Sequence, residues 1–334
     1  MKSILLLSCL LNILNLPDFQ GMATQRMENV KLNDMYRSIE FRSEGAILRG
    51  RLYAPDSKTK LPVIIMAHGY SATVEGMIAD RYAEVFYEAG FAVLLYDHRN
   101  LGKSDGEPRQ ELNRWTQARG YRDAIDFAIS LPEIDSTKVG LWGDSMSGDE
   151  AIFVAAMDHR VKTVVVQVPA CGREMPPPDS DGSLFNQLKN TFYHGDINVP
   201  ASTIGPMPVV SFTQESVPSL LKPLTAFRWF TEYGCRYNTG WENRATYVIP
   251  KVPVKFNSVL CISQIKGALL MMVADEDEMP GANSDVARYA YSLAPEPKKL
   301  VEVEGGHFGI LEYPSPLFDK ASRTQSNFFI QHLK

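Results

Sequence analysis

Ser145, Asp277 and His307 are three residues of this sequence whose types and order could perform acyl transfer. An alcohol is a poor nucleophile at neutral pH, so a serine needs a base to take its proton and an acid to orient that base. The three residues occur in the order serine, acid, histidine. Each follows a segment that is predicted to be a β-strand, and this is an arrangement known for such triads. The chain therefore predicts nucleophilic catalysis at a serine.

The setting of Ser145 is typical of a nucleophile elbow. An apolar run at residues 139–142 leads into Gly-Asp-Ser-Met-Ser-Gly at 143–148, and an apolar helical pattern follows from Ala151. A sharp strand-to-helix turn of this kind holds a serine hydroxyl clear of the backbone, beside the positive end of the helix dipole. The usual pattern is G-x-S-x-G, whereas this chain has Ser147 in the last position and glycine one residue later, at Gly148.

The base and the acid are predicted near the end of the chain. His307 lies between glycines after the last predicted strand (residues 299–303) and before the terminal helix. Asp277 lies in the acidic turn after the predicted strand at 268–273, and Asp275 in the same turn is the alternative acid. Both loops follow strands, which is where the triad's acid and base are expected.

An oxyanion hole requires two backbone N–H groups aimed at the developing negative charge. We expect one from Met146, the residue after the nucleophile, and the other from Tyr70, in the loop after the apolar strand Leu61–Ala67. His68 in that loop is expected to shape it by hydrogen bonds. Asp149 and Glu150 are expected in the first helical turn, where negative charge is favourable.

Residues 61–168 alternate buried apolar strands with helical patterns, and the alternation returns from residue 268 to the end. This pattern predicts an α/β fold with a mostly parallel, eight-stranded sheet and helices on both faces. Between them, residues 171–253 carry proline clusters and short helical patches. We interpret this stretch, which is too long for a simple connection, as an inserted cap over the site. The predicted core of the α/β fold is thus formed by residues 36–170 together with residues 254–334.

The composition excludes some classes of function. The net charge is −5 over 334 residues, and no basic run supports binding to nucleic acid. The four cysteines match no zinc or redox spacing, so we expect free thiols, no metal and no cofactor. Lys2 and the apolar residues 4–16 resemble a secretory leader over 1–21, which is too short for a stable membrane span. We expect a cytoplasmic protein, with secretion as the alternative. No signal specifies an oligomeric state.

Several stretches together resemble the α/β-hydrolase family that contains polyketide transferases, thiohydrolases and bacterial YcjY-type hydrolases, with dienelactone-hydrolase-like proteins as wider relatives. The resemblance spans about residues 36–333, and a serine before the elbow's glycine is usual in this group. Asn100, Asp149 and Gly309 depart from the family pattern, and none of them is at a triad position. The matching stretches are residues 68–71, 97–99 with Gly102 and Ser104, 140–148, 241–246, 274–280, 296–300 and 305–308.

The resemblance implies a serine hydrolase that acts on a small-molecule ester or thioester, in polyketide or other secondary metabolism. It places Ser145, Asp277 and His307 at the triad positions. One alternative is an acyl or polyketide transferase that passes the acyl group to an alcohol or amine. A second alternative is a ligand-binding protein that keeps the fold without catalysis, because fold alone does not fix function.

Overall fold

The strands of this protein are apolar enough to be buried on both faces, and they build one large sheet. The structure is a computed structural model that describes residues 35–334, so the leader predicted at 1–21 lies outside the described residues. Eight strands form the sheet in the order β1-β2-β4-β3-β6-β7-β10-β11. Their bounds are β1 Tyr36–Ser43, β2 Ala46–Tyr53, β3 Leu61–Ala67, β4 Ala92–Tyr96, β6 Ile134–Asp144, β7 Val161–Gln167, β10 Ala268–Ala274 and β11 Lys298–Val303.

Six neighbouring strands of this sheet, from β4 to β11, run parallel, and β2 pairs with β4 in the antiparallel direction. Every residue of β3 and β10 is buried, as expected for parallel strands covered on both faces. The carboxyl ends of parallel strands meet at one edge of the sheet. The loops after β3, β6, β10 and β11 therefore emerge at the same edge, and these loops carry the predicted site residues.

Seven helices accompany the strands within the described residues. Three of them start at a capping side chain: Asn113, Asn283 and Ser315 each accept from first-turn N–H groups of the helix that follows. The helices are α1 Ala79–Glu88, α2 Arg114–Ser130, α3 Ser145–Met157, α4 Ser183–His194, α5 Leu224–Gly234, α6 Ser284–Leu293 and α7 Pro316–Leu333. The predicted α/β-hydrolase fold class is confirmed.

The segment 171–253 contains α4, α5 and two strands, β8 (Pro200–Met207) and β9 (Ala245–Pro250). With β5 (Glu111–Leu112) these strands form a second sheet in the order β5-β9-β8. The sequence indicated only short helical patches here. The strand β8 could not be predicted from the sequence, because it is exposed along its length and carries proline and glycine, so it has no apolar alternation. That the whole segment acts as a cap remains a proposal.

Two further features bear on function. Cys171, Cys235 and Cys261 are free thiols, as expected, and Cys171 and Cys261 are buried. Among the helices of residues 35–334, none combines the length and apolar character needed to cross a membrane.

Candidate active site

Ser145 begins α3 directly after β6, so the strand turns into the helix without an intervening loop. Its φ is +51°, in the left-handed region that non-glycine residues rarely adopt, which is the strained turn expected at an elbow. Gly143 makes the turn possible, since a Cβ there would lie 2.3 Å from the Ser147 carbonyl oxygen. Ser145 is half-buried, whereas its neighbours Asp144 and Met146 are fully buried.

Ser147, the residue that departs from the usual elbow pattern, has a structural role. Its buried hydroxyl donates to the His68 carbonyl, and the His98 Nε2 lies 3.1 Å from the Ser147 Oγ. Because the hydroxyl gives its proton to His68, His98 must be the donor in the second bond. Ser147 thus ties the predicted nucleophile helix to the predicted oxyanion loop.

The predicted base and acid are in contact. His307 Nδ1 lies 2.8 Å from Asp277 Oδ2, and the two side chains are 2% and 1% exposed. Asp277 Oδ1 also accepts from the Met279 N–H at 2.9 Å, which fixes the carboxylate. The alternative acid, Asp275, instead accepts from the Gly305 N–H at 2.8 Å and is exposed. With Nδ1–H donated to Asp277, the imidazole leaves Nε2 as the free basic nitrogen.

Glu278 is the last of four consecutive acidic residues in this loop, and no role was expected for it. Its Oε2 accepts from the backbone N–H of His307 at 2.8 Å, and its Oε1 accepts from the Thr225 hydroxyl on α5. Glu278 therefore holds the histidine loop from the side of the inserted segment. No spacing rule could have separated it from its acidic neighbours.

The predicted oxyanion donors lie on the two loops that meet at Ser145. An added Cβ at Gly69 would lie 3.0 Å from the Ser145 Cβ, so the loop that carries Tyr70 closely approaches the serine. Asp144 Oδ1 accepts from the Gly69 N–H at 3.1 Å, so Asp144 connects the end of β6 to this loop. The Met146 N–H lies in the first turn of α3, where no intrahelical acceptor exists.

His68 orders its own loop, as expected. Its Nε2 accepts from the Ala79 N–H at 3.1 Å, and its Nδ1 lies 3.5 Å from Asp144 Oδ1. With Nε2 committed as an acceptor, the imidazole is neutral and carries its proton on Nδ1. His68 is therefore a scaffold residue of the loop in this structure.

Asp149 and Glu150 do not lie in the first helical turn, where they were expected. Both lie beyond that turn and are buried, with 1% and 0% exposure. Asp149 pairs with Arg114 at 2.5 Å and accepts from the Ser258 hydroxyl. Neither carboxyl oxygen of Glu150 has a hydrogen-bond partner within residues 35–334, and burial raises the pKa of this side chain well above its usual range. Burial thus disfavours the charged form of Glu150.

His98 is also buried, and its Nε2 lies 3.6 Å from Glu150 Oε2. Burial, with a smaller contribution from nearby His68, lowers the pKa of His98 to about 3. His98 is therefore a neutral hydrogen-bond donor at physiological pH.

Arg114 is a second residue that the sequence analysis missed. It is the first residue of α2, where the helix dipole disfavours a positive charge. An arginine directly after an asparagine cap is the sequence signal that could have drawn attention to it. In the described part of the chain, no cluster of three or more His, Cys, Asp or Glu side chains is arranged to hold a metal ion.

Comparison with known proteins gives matches along most of the chain. Residues 44–184 match the family described as X-Pro dipeptidyl-peptidase (S15 family). The polyketide transferase af380 of Aspergillus fumigatus is 36% identical over 270 residues, which cover 79% of this chain and 86% of that protein. The thiohydrolase aneE of Aspergillus aculeatus is 42% identical over 156 residues, covering 46% of this chain. The chain spans only about half of the length of that thiohydrolase, 48%.

Among solved structures, the DcsB complex with its substrate analogue has a TM-score of 0.66 and 24% identity. The match covers 89% of this chain and 99% of that one. At this level of identity the likeness establishes the fold, and it agrees with the sheet and helices described above.

Proposed function

This chain belongs to the α/β-hydrolase family of the polyketide transferases and thiohydrolases, and from that premise we propose that it is a serine hydrolase acting on a thioester or ester. The observation that carries the proposal is the buried contact between His307 Nδ1 and Asp277 Oδ2, at 2.8 Å. This pair lies on loops at the same edge of the sheet as Ser145, whose backbone has left-handed φ at the start of α3. Polyketide-type secondary metabolism is the proposed source of the acyl group, since the similar af380 is a polyketide transferase.

In the proposed reaction, Ser145 Oγ attacks the carbonyl carbon of the substrate while His307 Nε2 takes the hydroxyl proton. Asp277 keeps the imidazole in the tautomer that exposes Nε2 and stabilises the imidazolium that forms. The N–H groups of Tyr70 and Met146 donate to the oxyanion. The tetrahedral intermediate collapses as His307 returns the proton to the leaving thiol or alcohol, and an acyl-enzyme remains.

Hydrolysis of the acyl-enzyme repeats these steps with water. His307 Nε2 takes a proton from water, the hydroxide adds to the acyl carbon, and Ser145 leaves with the proton returned by His307. The products are the free acid and the original serine. The two half-reactions described above need no metal or redox group.

A fluorophosphonate probe tests the proposal. We expect one adduct on Ser145 by peptide mass, none in Ser145→Ala, and loss of thioester hydrolysis in that variant by about three orders of magnitude or more. Ser263→Ala is the matched control, because it removes an exposed serine hydroxyl outside the candidate site. Near wild-type turnover by a folded Ser145→Ala variant would contradict the proposal and favour the non-catalytic alternative.

A transferase is the second candidate, since the similar af380 is a polyketide transferase. Packing of the inserted segment against the histidine loop supports it. Trp229 on α5 donates to the Leu311 carbonyl at 2.8 Å, and its ring lies 5.5 Å from that of Phe308, next to His307. Excluding water at this point favours an alcohol or amine acceptor. Product analysis decides: ester or amide formed from an added acceptor supports transfer, and free acid alone counts against it.

A further inference from the structure

In the part of the chain that the structure describes, Arg114, Tyr70 and Tyr247 carry hydrogen-bond donors that no protein group uses. Within residues 35–334, the Arg114 Nε is buried without a partner, and no acceptor is found for its Nη2. The hydroxyls of Tyr70 and Tyr247 likewise have no protein partner, and both residues are half-buried. A buried guanidinium N–H loses free energy when it is left without an acceptor, so the Nε edge of Arg114 is a place where a ligand oxygen would be favoured.

The fold brings these three residues together. Strand β5 ends two residues before Arg114, and it pairs in parallel with β9 so that Leu112 lies opposite Tyr247. The ring of Tyr247 in turn stacks on that of Tyr70, with centroids 6.2 Å apart and planes 18° from parallel. The small sheet therefore places one tyrosine from the inserted segment beside the predicted oxyanion loop and the start of α2.

The cluster borders the predicted reaction centre. Arg114 Nη1 donates to the Ala170 carbonyl at 3.3 Å, and the Ala170 N–H donates to the Ser145 carbonyl at 2.8 Å. On the other side, Tyr70 follows Gly69, the residue that closely approaches Ser145. An acyl group bonded to Ser145 would start next to these donors.

The electrostatics favour an anionic ligand. Asp149 occupies only the Nη1 side of the guanidinium, and the Nε and Nη2 groups form the remaining edge. Two parallel N–H groups of this kind match the two oxygens of a carboxylate. Burial raises the pKa of Tyr70 above its usual range, so its hydroxyl stays protonated and can donate. The guanidinium edge and the two phenol O–H groups can all donate to one ligand, and this favours a negatively charged oxygen.

We propose that Arg114, assisted by the Tyr70 and Tyr247 hydroxyls, forms a subsite for a carboxylate carried by the acyl chain of the substrate. The inference rests on the proposed function, because it takes the acyl group to be bonded to Ser145. The substrate class is then a thioester or ester of a dicarboxylic acid, with its second carboxylate free.

N-acetylcysteamine thioesters of glutaric, adipic and pimelic acid test the subsite, each compared with its methyl ester, which has the same chain without the charge. For the best chain length we expect wild-type kcat/KM to favour the free carboxylate by about tenfold or more. Tyr247→Phe, which keeps the stacked ring, should reduce this ratio about fivefold. The double variant Arg114→Gln/Asp149→Asn, which leaves no unpaired buried charge, should abolish it.

Two surface substitutions serve as matched controls. Arg228→Gln removes a guanidinium whose side chain is 74% exposed, and Tyr237→Phe removes a phenol hydroxyl from a residue that is 89% exposed. Both should keep the wild-type ratio. If the double variant does not fold, Tyr247→Phe and Tyr70→Phe decide, because each removes one hydroxyl and retains the ring.

The outcomes separate this inference from the proposed function. A ratio near one at all three chain lengths, with fluorophosphonate still labelling Ser145, overturns the subsite and leaves the hydrolase. With neither labelling nor turnover, the hydrolase proposal fails, and calorimetry with free glutarate tests the subsite alone. Glutarate binding that is lost in Arg114→Gln/Asp149→Asn supports the subsite, and absence of binding to the wild-type protein overturns it.

Discussion

The backbone N–H of His307 donates to Glu278 Oε2 at 2.8 Å, so the predicted base is held at its main chain as well as at its imidazole. The imidazole contacts Asp277, one residue before Glu278, and the other Glu278 oxygen accepts from Thr225 on α5. Two adjacent carboxylates thus divide the work. One orients the ring, and the other fixes the loop that carries it.

Glu278→Ala should lower kcat by about tenfold with KM within threefold, because a misplaced base affects the chemical step more than binding. Glu278→Gln should recover most of the loss, since an amide oxygen can still accept from the His307 N–H. Steady-state thioester hydrolysis checks both. Thr225→Val removes only the contact with α5 and serves as the control; equal losses in the Ala and Gln variants would argue against a role for this hydrogen bond.

Gly306→Ala should reproduce the Glu278→Ala phenotype. A Cβ at Gly306 would lie 2.4 Å from Glu278 Oε2, and the flexible carboxylate can move away only by releasing the His307 N–H. The double variant should therefore be no slower than either single variant, which kinetics can measure as non-additivity. Gly309→Ala is the control, because its Cβ would meet only Leu317 at 3.4 Å. Additive losses would show that the two residues act independently.

Asp277→Asn should reduce kcat by about four orders of magnitude, as expected when the acid of a triad no longer fixes the histidine tautomer. Asp275→Asn should cost less than about threefold, because its exposed carboxylate caps only the Gly305 N–H. Turnover numbers for the two variants, with circular dichroism to check folding, distinguish the two candidate acids. The reverse order of losses would assign the acid to Asp275.

Asp149→Asn and Glu150→Gln should have unequal effects on stability although the residues are adjacent and equally buried. The first breaks a buried pair and leaves Arg114 without its counter-ion, at a cost of about 3 kcal/mol. The second replaces an acid whose charged form is disfavoured by burial, so we expect a change below about 1 kcal/mol. Denaturant unfolding at pH 7 measures both. Similar losses would mean that Glu150 is ionised.

Glu84 on α1 should make stability depend on pH. Burial, opposed by Arg81, raises the pKa of Glu84 from 4.5 to about 7. The folded protein therefore binds this proton more tightly than the unfolded chain, and the stabilisation is complete below pH 4.5 and lost as the pH rises through 7. Between pH 4.5 and 8, the free energy of unfolding of the wild type should fall by about 2 kcal/mol relative to that of Glu84→Gln.

Denaturant unfolding of both proteins across this range checks the Glu84 prediction. Glu88→Gln, an exposed carboxylate in the same helix, is the control and should show no such difference. A difference between the wild type and Glu84→Gln that stays constant with pH would contradict the raised pKa.

Much of the core could be predicted from the sequence, because local patterns specify it. The strand Leu61–Ala67 has the predicted bounds, and the strands predicted at 268–273 and 299–303 each differ from the structure by one residue. Continuous apolar runs identify strands that are buried on both faces, and an asparagine at a helix start binds its own first turn. Three candidate site residues, Ser145, Asp277 and His307, could be proposed from the sequence, since chain order and strand ends restrict where a triad can lie.

Only the tertiary structure decided which distant groups touch. Ser147 binding His68, Glu278 binding the His307 N–H, and Tyr247 stacking on Tyr70 join residues far apart in the chain. The small sheet also depends on contacts between distant residues. An exposed strand such as β8 carries no hydrophobic period, and it forms through pairing with β9. Sequence periodicity reports which face of an element is buried. It does not report the partner, because hydrogen bonds and ion pairs depend on distances that exist only after the chain has folded.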